Sequence, residues 1–275
     1  MPELPELEIL RRDLEKEVSG KKIKDNDVPV PAAVKHNTNK KIFGSKLHGV
    51  KVTGAARRGS LLVLSLDSEQ VLAISMSPTA QLVRQQNKEP SDKATLVVLG
   101  FTQHGGLRLI DSSKKSWMWV ADSDELDEEI GDLGFDLARE PVSWTAFGEA
   151  LLKQDGKLKN VLLDESFLVG IGPMYSDEIL FESGLRADRT PDSLTTQEIR
   201  RLFRASVEKV HDAMKYNGTS IGDDGFVNLA GEPGNYQNEI NVYKRDGQLS
   251  PRARGNVVKQ RFGSGYTYYC EQTQM

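Results

Sequence analysis

Two changes of hydrophobic period divide the 275-residue chain and limit the folds open to it. Leu7, Leu10, Leu14 and Val18 recur at helical spacing, with Arg11, Arg12 and Lys16 on other faces and Gly20 as a stop, so the opening reads as one amphipathic helix. From Lys21 to about Trp119 the pattern switches to short β-type runs, among them Ser60–Leu66, Val71–Ile74, Thr95–Leu99 and Leu107–Ile110. Gly54, Asp67, Gly105-Gly106 and Asp111-Ser112-Ser113 supply turns between them. Short strands at such spacing predict a β-sandwich.

The helical period then returns. Ser143 is placed to cap a helix running to about Gln154, and a second helical segment starts near Lys159 and breaks at Gly170-Ile171-Gly172-Pro173. It resumes from Met174, and Thr195 with Glu198 forms a capping box for a longer helix carrying Ile199, Leu202, Phe203, Val207, Val210 and Met214. A glycine- and asparagine-rich loop follows, from Gly222 to Gly234. The chain ends in a predicted β-hairpin with arms Asn256–Lys259 and Tyr266–Tyr269.

Charge argues against a generic nucleic-acid binder. The net charge is −4, and phosphate affinity comes mainly from lysine and arginine displacing counterions. The distribution is uneven, however. Acid concentrates between Asp122 and Glu140, which reads as a solvated linker or helix rim, whereas Lys244, Arg245, Arg252, Arg254, Lys259 and Arg261 make the C-terminal region basic. Nothing approaches the roughly 20 apolar residues that span a bilayer, and no secretory signal pattern stands at the start. Cys270 is the lone cysteine, and His36, His48, His104 and His211 lack metal-ligand spacing, so a thiol or metal hydrolase finds no support. A soluble, intracellular protein is expected.

The first eight residues, Met1-Pro2-Glu3-Leu4-Pro5-Glu6-Leu7-Glu8, carry the clearest chemistry. With Met1 removed, Pro2 becomes a secondary amine able to form an iminium ion with a sugar aldehyde, and Glu3 stands beside it as proton donor or acceptor. The same residues also suit a plain helix start, because proline fits the first helical position and carboxylates favour the positive end of the helix dipole.

Three segments in order, MPELPELE, LLDESFLVGIGPMYSDEILFESGL at 162–185, and NVYKRDG with GYTYYC near the end, resemble the bacterial formamidopyrimidine-DNA glycosylase and endonuclease VIII family. The resemblance covers essentially the whole chain. It implies an α+β fold: an N-terminal helix plus catalytic β-sandwich over 1–128, an acidic linker over 129–142, a helix-two-turn-helix domain over 143–235, and a zincless-finger β-hairpin over 236–275. The implied function is a DNA repair glycosylase with abasic-site lyase activity, cutting by β- and δ-elimination. The implied partner is damaged double-stranded DNA, held in the cleft between the two halves. A cytoplasmic monomer, nucleoid-associated if bacterial, needing no cofactor and touching no membrane, is expected. The alternative is a catalytically degraded paralogue serving as a nucleic-acid- or protein-binding module.

Carried over by position, Pro2 matches the family nucleophile, Glu3 its essential acid, and Glu6 a nearby carboxylate. Gly170 and Gly172 match the turn that presents backbone N–H groups to phosphate, or else make an ordinary interhelical turn. Lys159 matches a lysine near the damaged nucleotide with Lys157 beside it, although exposed lysines are commonly just solvated. Met76 matches a methionine that fills the gap left by the extruded nucleotide, or else packs at a strand end.

Several positions depart from the pattern. Ser60 stands where the family has a lysine, in Arg57-Arg58-Gly59-Ser60. Lys114 and Lys115 replace a wedge arginine and its neighbour, keeping charge but losing the planar guanidinium fork. Pro173 replaces an asparagine. The four zinc cysteines fall at Ser250, Ala253, Cys270 and Thr273, so tetrahedral zinc cannot form and the hairpin must rely on packing of Tyr243, Tyr266, Tyr268 and Tyr269. The finger arginine falls at Gly265, with Arg261 as the nearby candidate to replace it.

Overall fold

The structure is a computed structural model describing residues 2–85, 93–102, 105–139, 141–222 and 224–275; Met1, His104 and Glu140 lie outside these. The chain forms two compact units, Met1–Gly131 with Tyr216–Gln237, and Asp132–Lys215 with Asn238–Met275.

In the first unit, α1 (Leu4–Val18) buries the predicted stripe of Leu7, Leu10, Leu14 and Val18. Each such buried leucine contributes about 1.5–3 kcal/mol of transfer free energy. Among the described residues eight strands follow: β1 (Ile23–Asp27), β2 (Val52–Arg58), β3 (Leu61–Leu66), β4 (Val71–Ser75), β5 (Ala80–Gln85), β6 (Thr95–Phe101), β7 (Gly106–Asp111) and β8 (Trp117–Ala121). They make two antiparallel sheets, ordered β1-β6-β7-β5 and β2-β3-β4-β8. Inward residues from both, such as Leu62, Leu64 and Ile74 against Leu82, Leu99 and Leu109, share one core with α1, which is the predicted sandwich. A short helix, α2 (Lys40–Leu47), capped by the Asn39 side chain, adds Phe43 and Leu47 to that core.

Two boundaries differ from the sequence-based ones. The first unit runs to Gly131, past the expected 128, because the start of the acidic stretch takes its helical alternative as α3 (Ser123–Ile130), whose Leu126 docks on the outer face of the second sheet against Val63, Ala73 and Trp119. The span expected to continue to 235 as one domain leaves the second unit after Lys215. Residues 216–237 are fastened instead by first-unit groups. Asp13 accepts from Leu229 N–H (3.3 Å), Arg84 N–H donates to the Leu229 carbonyl (2.8 Å), and Gln81 donates to the Gly225 carbonyl (2.8 Å).

The second unit holds α4 (Trp144–Leu151), α5 (Leu158–Leu162), α6 (Pro173–Ser183) and α7 (Thr196–Lys215), followed by the hairpin β9 (Val258–Phe262) and β10 (Gly265–Tyr269). Ser143 caps α4 through its hydroxyl, and the Thr195–Glu198 capping box opens α7. The first hairpin arm starts two residues later than expected, because Asn256 bridges to Leu249 and Val257 turns into the core with Phe181, Val242 and Tyr268. Tyr243 and Tyr268 meet edge to face at 5.3 Å, and Tyr269 is buried; Tyr266 is 50 % exposed and does not join them.

Candidate active site and nucleic-acid interface

Proline and glutamate at the start of α1 do what helix termini require. Glu3 is the N-cap, and Glu3 and Glu6 form a reciprocal capping box in which Glu3 N–H donates to Glu6 Oε2 at 2.9 Å. Pro2, Glu3 and Glu6 are all buried. Glu6 also reaches out of the helix, accepting from Thr219 N–H at 2.9 Å through Oε1. Gly218 beside it has φ +78°, and an added Cβ would stand 3.0 Å from the Glu6 side chain. The returning loop is thus seated directly on the carboxylate next to the nucleophile candidate.

The rest of the first-unit set lies on the sandwich strands and in the turns that join them. Arg57 is fully buried, with its guanidinium 3.6 Å from Glu8, a carboxylate that also pairs with Arg11 and Arg12. Arg57 therefore ties β2 to α1, and Ser60 sits half-buried in the two-residue turn between β2 and β3. Met76 is buried in the sandwich core at the end of β4. Lys114 is exposed in the β7–β8 turn with φ +55°.

In the second unit the lysines separate. Lys157 is exposed, the N-cap of α5, and stands 5.5 Å from the Phe262 ring centroid. Lys159 is not the ordinary solvated lysine of the alternative reading. Its ammonium is buried, donating to Asp177 at 2.5 Å and to the Tyr266 carbonyl at 3.0 Å. Asp177 accepts in addition from Thr267 Oγ1 (2.6 Å) and Tyr268 N–H (3.1 Å), so this pair fastens β10 to α5 and α6. Burial pushes the Asp177 carboxyl up to about 6, with Lys159 and the hydroxyl of Thr267 only partly offsetting it. The adjacent Glu178 accepts from the backbone N–H groups of Asn241, Val242 and Tyr243 at 2.8–3.0 Å. Gly170 (φ +65°) and Gly172, the N-cap of α6, are buried where the turn meets the helix, and Pro173 is its exposed first residue.

Hairpin register decides what can stand in for the missing finger arginine. Gly265 pairs with Phe262, and Tyr266 with Arg261. Side chains directly opposite share a face and neighbours alternate, so Arg261 points to the face opposite that of position 265. Lys157, 5.5 Å from the centroid of Phe262 on the Gly265 face, lines a cleft of about 290 Å³ together with Arg186, Gln260 and Tyr269, and Arg261 reaches its rim from the other face of the strand. The positions that the resemblance aligns with metal ligands are taken up by packing. Ser250 and Thr273 hydrogen-bond the Cys270 thiol, and Ala253 packs on the cluster that contains it. Burial would push that thiol up, but these bonds bring it below its ordinary value. Among the described residues, no group of three or more His, Cys, Asp or Glu side chains could hold a metal ion.

Residues 1–118 match the Formamidopyrimidine-DNA glycosylase N-terminal domain, and residues 133–224 match the Formamidopyrimidine-DNA glycosylase H2TH domain. The chain belongs to the formamidopyrimidine-DNA glycosylase family. A relative of that name from Bacillus cereus is 35% identical over 98% of both chains, and one from Pelotomaculum thermopropionicum is 30% identical over 100% of this chain and 99% of its own. Among solved structures, Lactococcus lactis Fpg in complex with DNA containing an abasic site superposes with a TM-score of 0.89 at 25% identity, covering 99% of each chain. The same protein with DNA containing N7-benzyl-Fapy-dG gives 0.89 and 25% over all of both chains.

Within this family frame, sequence reasoning missed the residues that act at long range. Thr219 contacts Glu6 across 213 positions, and Glu178 reaches the 241–243 segment. No periodicity signals either. Both partners are backbone N–H groups, which every non-proline residue carries.

Proposed function

We propose that this chain is a DNA repair glycosylase and abasic-site lyase, with the Pro2 amine as nucleophile once Met1 has been removed. The observation that carries the reading is the buried Pro2-Glu3-Glu6 cluster at the head of α1, in a chain of this family. The extruded nucleotide presents C1′ of its sugar to the amine. Nitrogen attacks C1′, the bond to the base breaks, and its electron pair leaves with the base, which takes up a proton. Glu3 gives a proton to the ring oxygen as the ring opens, leaving an iminium between Pro2 and C1′. That cation acidifies C2′; loss of its proton expels the 3′ phosphate, a second elimination expels the 5′ phosphate, and water releases the sugar remnant. An abasic site enters the same path by losing water from its aldehyde on addition of the amine.

The partner is damaged double-stranded DNA. Lys114, Lys157 and the Gly170–Gly172 turn supply contacts on this reading, Arg261 contributes charge from the other face of the hairpin, and Met76, packed in the core, supports the crossing that follows β4. Lys159 acts indirectly, by holding β10. The protein works as a cytoplasmic monomer, at the nucleoid of a bacterial cell. No helix among the described residues is long and apolar enough to cross a membrane.

Borohydride trapping tests the chemistry. Wild type incubated with abasic-site DNA and borohydride forms a cross-linked species that Pro2→Gly and Glu3→Gln lose. Absence of any wild-type cross-link at low salt overturns the enzymatic reading in favour of a binding module.

A further inference from the structure

The residues connecting β4 to β5 (76–79) and β7 to β8 (112–116) each cross from one sheet of the sandwich to the other. Because β4 pairs with β8 and β5 with β7, the two crossings lie side by side. One carries Met76 and the other Lys114.

A single buried carboxylate joins them. Asp111, wholly inaccessible to solvent, accepts three hydrogen bonds on each oxygen. Oδ1 takes Thr79 Oγ1 (2.6 Å), Ser113 N–H (2.9 Å) and Ser113 Oγ (2.8 Å). Oδ2 takes Lys115 N–H (2.9 Å), Ser116 N–H (2.9 Å) and Ser116 Oγ (2.8 Å). Ser77 adds a second seam, donating its N–H to Ser116 Oγ at 2.9 Å and placing its hydroxyl 3.1 Å from that of Ser113. The backbone wraps so tightly around Asp111 that Lys114, between these donors, adopts φ +55°.

We propose that Asp111 is a positioning residue for DNA engagement: it ties the Lys114 crossing to the core-anchored Met76 crossing as one rigid edge, so that Lys114 reaches the duplex already ordered. The inference rests on the reading of Lys114 as a DNA contact. A loop that must order on binding loses affinity for that reason alone, and fixing it beforehand removes the cost. Six donors exceed what a turn needs for its own closure. Five come from the 113–116 segment and the sixth, Thr79, from the neighbouring crossing; that last bond makes the carboxylate a link instead of a local cap.

The test compares wild type, Asp111→Asn and Thr79→Val for binding to duplex DNA holding a non-cleavable tetrahydrofuran abasic analogue, and to the same strand unpaired. Asn cannot accept at both ends of its amide, so Asp111→Asn weakens duplex binding about tenfold, the scale of one lost charge-assisted hydrogen bond. Binding to the single strand, which has no stack to enter, stays within about twofold, well under the 1.4 kcal/mol of a tenfold change. Thr79→Val, which removes the bond from Thr79 to Asp111 and leaves the Ser77 N–H bond to Ser116 in place, gives a smaller loss of the same kind. Duplex affinity unchanged in Asp111→Asn overturns the proposal, as does equal loss on both substrates, which marks general unfolding. Since the readout is binding, a wild type that fails to cross-link to abasic DNA would sink the enzymatic reading while leaving this comparison decisive.

Discussion

Lys159 donates to Asp177 at 2.5 Å with both side chains buried, and this ion pair occupies the place in the second unit where the hairpin meets the helices. Asp177 binds the Thr267 hydroxyl and Tyr268 N–H while Lys159 holds the Tyr266 carbonyl. A bare hairpin is marginal in water, so attachment is what makes it persist.

Breaking the pair from one side therefore costs more than removing it. Lys159→Met leaves a buried carboxylate without its cation and destabilises by about 3–5 kcal/mol. Lys159→Met combined with Asp177→Leu recovers part of that loss, since no uncompensated charge remains. Denaturant unfolding of the single and double variants measures the difference.

The Asp177 carboxyl also predicts a pH dependence. Its folded value, about 6, lies above the ordinary 3.8, so the folded state binds the extra proton between those values. The stability this supplies is fully present below 3.8 and is lost as pH rises through about 6. Relative to Asp177→Asn, which cannot titrate, wild type becomes progressively less stable from pH 4 to pH 6 and levels off above it. Parallel melting curves for the two proteins across that range would contradict the assignment.

Lys114 is expected to show opposed effects on stability and binding. Its φ of +55° suits glycine, so Lys114→Gly relieves backbone strain, partly offset by the greater freedom of glycine in the unfolded chain. We expect a melting temperature equal to or slightly above wild type, together with weaker duplex binding and a shallower salt dependence from one fewer phosphate contact.

Glu6 holds two backbone donors, Glu3 N–H and Thr219 N–H. Glu6→Ala leaves both buried without this acceptor, at about 1–3 kcal/mol each. The variant should lose stability and also cross-link abasic DNA more slowly, because the cap that fixes Glu3 and the seat of the 216–237 loop loosen together. A variant that unfolds earlier yet cross-links at the wild-type rate would separate Glu6 from the chemistry.

The emptied metal positions remain neighbours around Cys270. Replacing Ser250, Ala253 and Thr273 by cysteine would rebuild a four-thiolate set, which cobalt absorption in the thiolate charge-transfer region would report. The natural chain should melt at the same temperature with or without a chelator.

Much of the architecture was legible from residue order alone. Helical and two-residue periods, caps at Ser143 and Thr195, and turn residues between strands are local signals, and they placed α1, the sandwich strands and α6–α7 close to where they stand. The PELPE opening likewise marked the catalytic candidates, because a nucleophile, its acid and a helix start are all written within a few positions. Local reading went astray where a side chain's role depends on a distant partner. Residue order left Lys159 open between a lysine near the lesion and a solvated one, with no sign of its burial against Asp177 and β10, and offered Arg261 as a nearby candidate for the lost arginine without the strand register that puts it on the other face.

What the order of residues determined by itself is the set of elements and the chemistry available at the N-terminus, since both depend on neighbours in the chain. What tertiary structure alone decided is which charges face water and which are consumed inside. Burial and pairing are set by groups tens to hundreds of positions apart, as between Glu6 and Thr219 or Asp111 and Thr79, and the cost of desolvating a charge is paid or avoided only when those groups meet.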